Sequence, residues 1–222
     1  MDISWTTVII VILLIVVGYF IWSIVSSSSS KTSSGTTKLA TSTPLAVATS
    51  TNSFTFSTWI AIDTWGTGGN NIISTADGTS AASIFALKLG TNVNELKLSI
   101  GTAITTFTTV GLVPLQTWVS IIVSVNSGNS VDIYINGKLV KTIALAATYT
   151  LPAGSFSVGG TGSSVGYIST TFNNKSTGPQ EAWTIYSSGY GGGGGGVADF
   201  FTKYKIRFAF VKDNVELSRL DI

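Results

Sequence analysis

The chain has 222 residues, 10% of them charged, and a formal net charge of +2 at pH 7. This weak charge, with no cluster of Lys or Arg, argues against a nucleic-acid-binding surface. The chain contains no Cys and no His, which excludes disulfides, thiolate metal sites and imidazole as a general base.

The N-terminal region contains an uncharged apolar run, Val8 to Val25, with the sequence VIIVILLIVVGYFIWSIV. Counted from Trp5, a helix of about 21 residues is roughly 31 Å long, and a bilayer core is about 30 Å thick. Trp5 at one end, and Tyr19 and Trp22 near the other, are expected at the two membrane interfaces. We predict a transmembrane anchor over residues 1–25 rather than a cleaved signal peptide, because no Lys or Arg precedes the run.

The lipid bilayer is the expected partner of residues 5–25. The orientation is weakly specified: Lys31 and Lys38 follow the run, which leans towards a cytoplasmic C-terminal side. Residues 26–53 are rich in Ser and Thr and predict a flexible stem without a core of its own. The stem is either a simple spacer or a segment that becomes ordered against partner proteins.

From Phe54 the pattern changes to short runs rich in Val, Ile, Thr and aromatic residues. The clearest is Trp118–Ile143, in which apolar residues alternate with polar ones and Asn136-Gly137 is a preferred type I′ hairpin turn. Other predicted strands are Phe54–Ile62, Asn71–Thr75, Ile84–Leu89, Glu95–Gly101, Thr105–Val110, Ser155–Val158 and Val165–Thr171. About ten such strands predict an all-β fold, a two-sheet antiparallel jelly-roll sandwich over residues 54–190.

The remaining elements are a short helix and a tail. Gly178 to Tyr186 is a predicted helix, since Pro179 fits its first turn and Gly189 its end. Residues 191–222 begin with six glycines, a permissive hinge, and continue with an alternating apolar strand that includes Phe208. The apolar face of this strand requires a cover, from the sandwich itself or from another subunit.

Several of these blocks resemble the laminin-G-like, concanavalin A-like superfamily. FTFSTWIAID (Phe54–Asp63) is similar to its first core strand, and the segment Pro114–Val140 has its Trp at a strand start and its Tyr-x-Asn-Gly hairpin. PQEAWTIYSSG (Pro179–Gly189) resembles its short final helix. The resemblance implies a jelly-roll sandwich that binds carbohydrate or protein.

The order of the segments is also similar to that of membrane-anchored minor capsid proteins of large DNA viruses of algae. The shared order is a short acidic N-terminus, an anchor, a Ser/Thr stem, this domain, and a glycine run with a basic tail. This second resemblance depends on architecture more than on motifs. It implies a virion location between an inner membrane and the capsid shell.

Hydrolase chemistry is not expected. Related glucanases need two carboxylates close together on one strand, whereas the acids of this domain are far apart in sequence. We therefore predict no catalytic residue, no enzyme activity and no cofactor. Asp77, in the Thr75–Gly78 turn, is a weak candidate for a calcium ligand, because a lone Asp-Gly pair is commonly just a turn.

Binding of a glycan or a protein would require exposed aromatic side chains beside polar groups. Trp65, before a Gly-rich loop, and Tyr190, beside the glycine run, are the candidate contacts, although burial of Trp65 under its loop is the favoured alternative. The three remaining tryptophans of the domain match family core positions and are interpreted as packing residues: Trp59, Trp118 and Trp183.

Two functional hypotheses follow from the sequence. The first is a structural protein, a membrane-anchored viral minor capsid component that links an internal membrane to the capsid shell through its sandwich, with capsid proteins as partners. The alternative is a membrane-tethered lectin-like module that binds glycans or a surface protein.

Overall fold

The computed structural model describes Tyr19 and residues 31–75, 84–101, 108–190, 207–212 and 215–221. The chain divides into two compact units, one formed by Ser29–Tyr190 and the other by Met1–Ser28 with Gly191–Ile222. The elements are, in chain order, β1 Lys31–Lys38, β2 Thr43–Val47, β3 Phe54–Thr64, β4 Asn71–Thr75, β5 Phe85–Leu89, β6 Glu95–Ile100, β7 Thr108–Leu112, β8 Trp118–Asn126, β9 Ser130–Ile135, β10 Lys138–Ala144, β11 Gly154–Val158, β12 Val165–Asn173, α1 Pro179–Ser187, β13 Arg207–Lys212 and β14 Val215–Asp221.

The unit Ser29–Tyr190 is a sandwich of two antiparallel sheets, which confirms the predicted fold class. The first sheet has the order β1-β12-β3-β8-β9-β10 and the second the order β2-β11-β4-β5-β6-β7. The strands predicted between Phe54 and Thr171 correspond to β3 to β12, with bounds that differ by a few residues. Asn136 and Gly137 have φ of 51° and 73°, as a type I′ turn between β9 and β10 requires.

The core lies between the sheets and is built on alternating side chains. Phe56 of β3 is fully buried, and its ring centroid lies 4.9 Å from that of Phe85, 5.3 Å from that of Phe172 and 5.6 Å from that of Phe156. These rings come from both sheets, so their contacts join the two layers. Each buried large apolar side chain contributes about 1.5–3 kcal/mol relative to exposure.

The predicted stem needs a correction, because most of it belongs to the sandwich unit. The strand β1 pairs with β12 at the edge of the first sheet, and β2 pairs with β11 at the edge of the second. Between and within these strands, Leu39, Leu45 and Val47 are buried in the core. Their three apolar side chains anchor a segment that is otherwise rich in Ser and Thr and lies exposed or half-buried at the sheet edges. The domain therefore begins before Phe54.

The predicted anchor, with Trp5 and Trp22, lies outside the described residues. Tyr19 is the exception: it is helical and 63% exposed. Among the residues that the structure describes, no helix has the length and apolar character needed to cross a bilayer.

The helix α1 covers part of the outer face of the first sheet. Its Ala182 is fully buried against Ile122 of β8 and Tyr134 of β9, with Ile185 beside them. Pro179 occupies the first turn, as predicted. Gly189 follows the helix with a φ of +80°, the left-handed conformation in which helices commonly end. The chain can therefore turn back across the same sheet face as far as Tyr190.

The tail contains a two-stranded antiparallel sheet of β13 and β14, in which Phe208 pairs with Leu220. A strand was predicted at this position, but its partner β14 was not. The glycine run Gly191–Gly196 lies outside the described residues, and the cover of the strand's apolar face stays a prediction.

The sandwich has two distinct ends, which the register of β1 defines. Lys31 pairs with Asn173 and Lys38 pairs with Tyr167, so the chain enters at one end and β1 finishes at the other. We call the latter the Lys38 end. The loops 65–70 and 159–164 meet there, since the backbone N–H of Asn71 donates to the carbonyls of Gly160 and Thr161.

Candidate functional site

A cleft at the Lys38 end is the first candidate site. Its volume is about 270 Å³, and it is lined by Lys38, Ala40, Asp63 and the segment Gly162–Tyr167. We call it the Tyr167 cleft. The alternation of β12 directs Ile168 into the core and leaves Val165 and Tyr167 outside, 60% and 45% exposed. The cleft thus presents an aromatic ring and an aliphatic side chain to solvent.

Hydrogen bonds between two loops fix the rim of the Tyr167 cleft. The backbone N–H of Gly66 donates to Ser164 Oγ at 2.9 Å, and Ser163 Oγ donates to the carbonyl of Thr67 at 2.5 Å. The backbone N–H of Ser164 donates to Asn70 Oδ1 at 3.1 Å, and Asn70 is buried. Because these hydrogen bonds, one of them buried, hold its rim, the cleft is preformed rather than created by a ligand.

The charges of the Tyr167 cleft complement a polar ligand. Lys38 and Asp63 are both exposed, and among the described residues no salt bridge joins them. The ammonium group offers donors and the carboxylate offers acceptors, beside the ring of Tyr167. An aromatic face next to separate donors and acceptors suits a ligand that carries many hydroxyl groups.

A cluster of aromatic side chains lies beside the cleft on the outer face of the first sheet. We call this cluster the aromatic strap; it consists of Trp59, Trp118, Trp183, Tyr186 and Tyr190. The rings of Trp118 and Tyr190 are stacked, with centroids 3.6 Å apart and an interplanar angle of 11°. Trp59 stacks on Tyr186 at 6.2 Å, and Trp183 contacts Tyr186 at 5.5 Å.

The strap is tied to the edge of the sheet. The hydroxyls of Tyr190 and Thr36 are hydrogen-bonded to each other, and Thr36 belongs to β1. The strap and the cleft share one sheet face, because Ala61 pairs with Tyr167 on one side and with Trp118 on the other. Exposed aromatic surface therefore continues from the cleft to the end of α1.

The two predicted contact residues have different positions. Tyr190 is half-buried and stacks in the strap, so only part of its ring faces solvent. Trp65 is half-buried and packs against the main core, and its buried indole nitrogen has no hydrogen-bond partner among the residues that the structure describes. The position of Trp65 matches the alternative of burial under its loop. Neither position tests ligand binding, which stays a prediction for both.

The three tryptophans interpreted as packing residues at family core positions lie outside the inter-sheet core. Trp59 and Trp118 are half-buried on the outer sheet face, and Trp183 is 48% exposed on α1. The physical reason is strand alternation: Trp59 points away from Phe56 and Ile60, which are buried between the sheets.

The calcium candidate Asp77 lies outside the described residues. Within the described ranges, no group of three or more acidic side chains lies close enough to hold a metal ion. The sequence analysis did not identify Lys38, Asp63 or Tyr167 as candidate contact residues. The available signal was the alternation Val165-Gly166-Tyr167-Ile168, which exposes the tyrosine.

Known proteins resemble this chain mainly in fold. The binding domain of botulinum neurotoxin DC, in complex with rat synaptotagmin II, superposes with a TM-score of 0.53 at 14% identity, over 72% of this chain and 47% of that chain. The binding domain of botulinum neurotoxin serotype G gives 0.54 at 12% identity, over 73% and 47%. Trypanosoma rangeli sialidase in complex with sialic acid gives 0.52 at 15% identity, over 68% and 26%.

These identities establish the fold alone. The chain spans less than half of each toxin binding domain and about a quarter of the sialidase. No curated protein sequence matches it. A family model described as the concanavalin A-like lectin/glucanases superfamily matches residues 33–174, more than half of the chain. Together with the two-sheet jelly roll, this match establishes that the chain belongs to the concanavalin A-like lectin/glucanase superfamily.

Proposed function

We propose that this chain is a non-enzymatic, membrane-tethered lectin-like protein that binds a glycan at the Lys38 end of its sandwich. The observation that carries the proposal is the Tyr167 cleft, where an exposed ring lies beside a cation and a carboxylate. Sugar rings stack on aromatic faces through their C–H groups, while their hydroxyls need donors and acceptors. The cleft offers all three.

The same cleft argues against hydrolysis. Most glycoside hydrolases use two carboxyl groups about 5–9.5 Å apart around the bond that they cleave. Asp63 is the one carboxylate among the residues that line the cleft. A single acid can orient a ligand through its hydroxyls, but it cannot act as both the acid and the nucleophile or base.

The superfamily and the structural neighbours are consistent with a binding role. The toxin fragments similar in fold are binding domains, one of them in complex with rat synaptotagmin II, and the sialidase is in complex with sialic acid. We extend from these proteins only the class of function, recognition of a glycan or a protein.

The second candidate function is a minor capsid protein that joins an inner membrane to a capsid shell. It is favoured by the apolar run at residues 8–25 and by the early start of the sandwich. Residues 26–30 alone separate the proposed anchor from β1, and five extended residues span at most about 18 Å. Such a short link suits a protein that holds two layers at a set distance.

A glycan array tests the lectin-like function, with the full chain in detergent. Wild-type protein is expected to retain a subset of glycans, and Tyr167→Ala is expected to weaken that retention at least tenfold. Leu139→Ala is the matched control, because Leu139 is 51% exposed on β10 and does not line the cleft. Absence of retention by the wild type, or equal retention by Tyr167→Ala, would refute the function.

Site-specific crosslinking tests the capsid function. The chain has no native Cys, so Val165→Cys places a unique thiol at the cleft, and Asn174→Cys places one at the opposite end. In intact particles, a crosslink from position 165 to a shell protein, with none from position 174, would support this function. If neither position 165 nor position 174 crosslinks to a shell protein, the capsid function is wrong.

A further inference from the structure

The aromatic strap contains a notch that one ring fills from the end of the domain. The ring of Tyr190 lies nearly parallel to that of Trp118, and its plane meets that of Trp59 at 68°, with centroids 6.3 Å apart. The hydroxyl of Tyr190 is hydrogen-bonded to that of Thr36. We call the space bounded by Trp118, Trp59 and Thr36 the Trp118 notch. It contacts an inserted phenol ring through a stacked ring, an edge-on ring and a hydrogen bond.

The walls of the Trp118 notch belong to the sheet and not to the segment that fills it. Trp118 begins β8 and pairs with Ala61 of β3, and Trp59 lies two positions before Ala61 on the same face. Ala61 separates Trp118 from Tyr167 of β12 in register, and its small side chain leaves room above the sheet at this point. Because strand pairing fixes both tryptophans, we expect the notch to keep its shape when Tyr190 is absent.

A β-bulge in β1 places the hydroxyl group at the end of the notch. Ser33 pairs with Thr171 and Thr36 pairs with Ser169, so three steps along β1 correspond to two steps along β12. Gly35, inside the bulge, has a φ of +68°. Uninterrupted alternation from Ser33 would place Gly35 on the strap face, and the bulge places Thr36 there instead. The irregularity of the strand thus supplies the hydrogen-bond partner of the inserted ring.

Tyr190 is attached to the sheet through its side chain alone. It is the last residue of the sandwich unit, and within the described ranges no backbone hydrogen bond involves its N–H or its C=O. Gly189 precedes it with a φ of +80°, and six glycines follow it in the sequence. Glycine restricts φ and ψ less than any other residue does. Rotation about these residues can therefore remove the ring of Tyr190 from the notch without breaking a strand pair.

We propose that the Trp118 notch is a docking site for a tyrosine side chain of a partner protein, and that Tyr190 closes this site as an internal latch. The partner's tyrosine takes the position of Tyr190, stacks on Trp118 and bonds to Thr36. Binding of the partner and closure of the latch therefore exclude each other. The site lies on the sheet face beside the Tyr167 cleft and does not require a glycan there, so the two proposals can fail separately.

The present occupant of the notch indicates why the partner group is a tyrosine. The rings of Tyr190 and Trp118 are 11° from parallel and 3.6 Å apart, which is the separation of flat rings in van der Waals contact. A saccharide ring is puckered and cannot match this contact over its whole face. Phenylalanine provides the flat ring but no group that can bond to Thr36. A glycine precedes the partner's tyrosine, because Gly189 has a left-handed φ that other residues rarely adopt.

The latch lowers the affinity for the partner by the ratio of closed to open molecules. A stacked ring and one hydrogen bond together correspond to a ratio of about 5 to 150. Removing the latch with Tyr190→Ala is therefore expected to increase the affinity for a tyrosine peptide about 5- to 150-fold. Tyr190→Phe keeps the ring and loses the hydrogen bond, so its expected increase is about 2- to 12-fold.

The test uses a free peptide, Ser-Ser-Gly-Tyr-Gly-Gly, which has the sequence of residues 187–192. The full chain is labelled with fluorotryptophan in detergent, and fluorine NMR follows the Trp118 resonance, which is assigned by its absence from Trp118→Leu. In Tyr190→Ala, the peptide is expected to shift this resonance towards its wild-type position. The Trp183 resonance is the internal control, because the ring of Trp183 contacts Tyr186 outside the notch.

Matched peptides and a second substitution assign the shift to the ring and its hydroxyl. A peptide with Phe in place of Tyr is expected to bind about 2- to 12-fold more weakly to Tyr190→Ala, and a peptide with Leu is expected not to shift the Trp118 resonance. Adding Thr36→Val to Tyr190→Ala should weaken binding of the Tyr peptide by the same factor and leave the Phe peptide unchanged. Equal effects of Thr36→Val on both peptides would overturn the role of Thr36.

Three other results would overturn the proposal. If about 10 mM peptide, a concentration comparable to that of a tethered group, leaves the Trp118 resonance of Tyr190→Ala unshifted, the docking site is wrong. If the wild type and Tyr190→Ala bind the peptide equally, Tyr190 is not a latch. A neutral oligosaccharide that shifts the resonance at lower concentration than the peptide would overturn the assignment to a protein. Circular dichroism verifies each fold, and Tyr190→Phe carries the test if Tyr190→Ala does not fold.

Discussion

The aromatic strap allows a quantitative test of how the end of the domain is held to the sheet. Replacing Tyr190 by Leu removes the ring stacked on Trp118 at 3.6 Å and the hydroxyl bonded to Thr36. A stacked aromatic pair contributes about 0.5–1.5 kcal/mol beyond its buried area. A typical hydrogen bond contributes about 0.5–1.5 kcal/mol net.

The two contributions together predict that Tyr190→Leu lowers the free energy of unfolding of the sandwich by about 1–3 kcal/mol. Tyr190→Phe retains the ring and removes only the hydroxyl, so its expected loss is about 0.5–1.5 kcal/mol. For a domain of this size, each kcal/mol lowers Tm by about 2–4 °C.

A double-mutant cycle isolates the ring contact. Trp118→Leu, Tyr190→Leu and the double variant are unfolded in urea and followed by far-ultraviolet circular dichroism, because tryptophan fluorescence changes with the substitution. The expected coupling free energy is about 0.5–1.5 kcal/mol. The control cycle pairs Trp118→Leu with Trp183→Leu, because these two rings have different partners: Trp118 stacks on Tyr190, whereas Trp183 contacts Tyr186. Additive effects within about 0.3 kcal/mol in the Trp118–Tyr190 cycle would refute the stacking.

Two further predictions concern the sheet and the core. Gly166→Ala should destabilise the sandwich by about 1–3 kcal/mol in urea unfolding, because its Cβ would lie 2.1 Å from the carbonyl oxygen of Ala61. Gly111→Ala should be near neutral, because the nearest atom to its Cβ would be Ile135 Cδ1 at 3.4 Å, an ordinary van der Waals contact. Burial raises the pKa of Tyr149 above its usual value of 10. The unfolded state therefore loses the Tyr149 proton at a lower pH than the folded state does. As a result, the free energy of unfolding should decrease as the pH rises above about 10. Tyr149→Phe should reduce that decrease, and an unchanged alkaline profile would contradict the assignment.

The fold could be predicted where the sequence alternates strongly, and the missed parts have identifiable causes. In β3, Phe54 and Phe56 alternate with polar residues, which was sufficient to identify a core strand. The same alternation also places Trp59 on the opposite face from Phe56, so the outer position of Trp59 could have been predicted from the sequence. The strand β1 was missed because most of its side chains face solvent at a sheet edge, where Ser and Thr are as suitable as in a flexible stem.

The candidate site was less predictable than the fold. Lys38, Asp63 and Tyr167 belong to β1, β3 and β12, and only the pairing of distant segments brings them together. No local pattern contains that information. Lys88 and Lys97 are only nine positions apart, in consecutive strands, but their direct opposition depends on the register of β5 with β6.

The register of β1 also determines how the sandwich responds to mechanical load. The chain enters the sheet at Lys31, whereas Tyr167 of the neighbouring strand lies at the opposite end, paired with Lys38. Tension between the N-terminal segment and a ligand held at Tyr167 therefore acts parallel to both strands. Such a load shears the hydrogen bonds between β1 and β12 together, whereas a perpendicular load would peel them apart one at a time. A sandwich connected in this way resists forced separation through the combined strength of a whole strand pair.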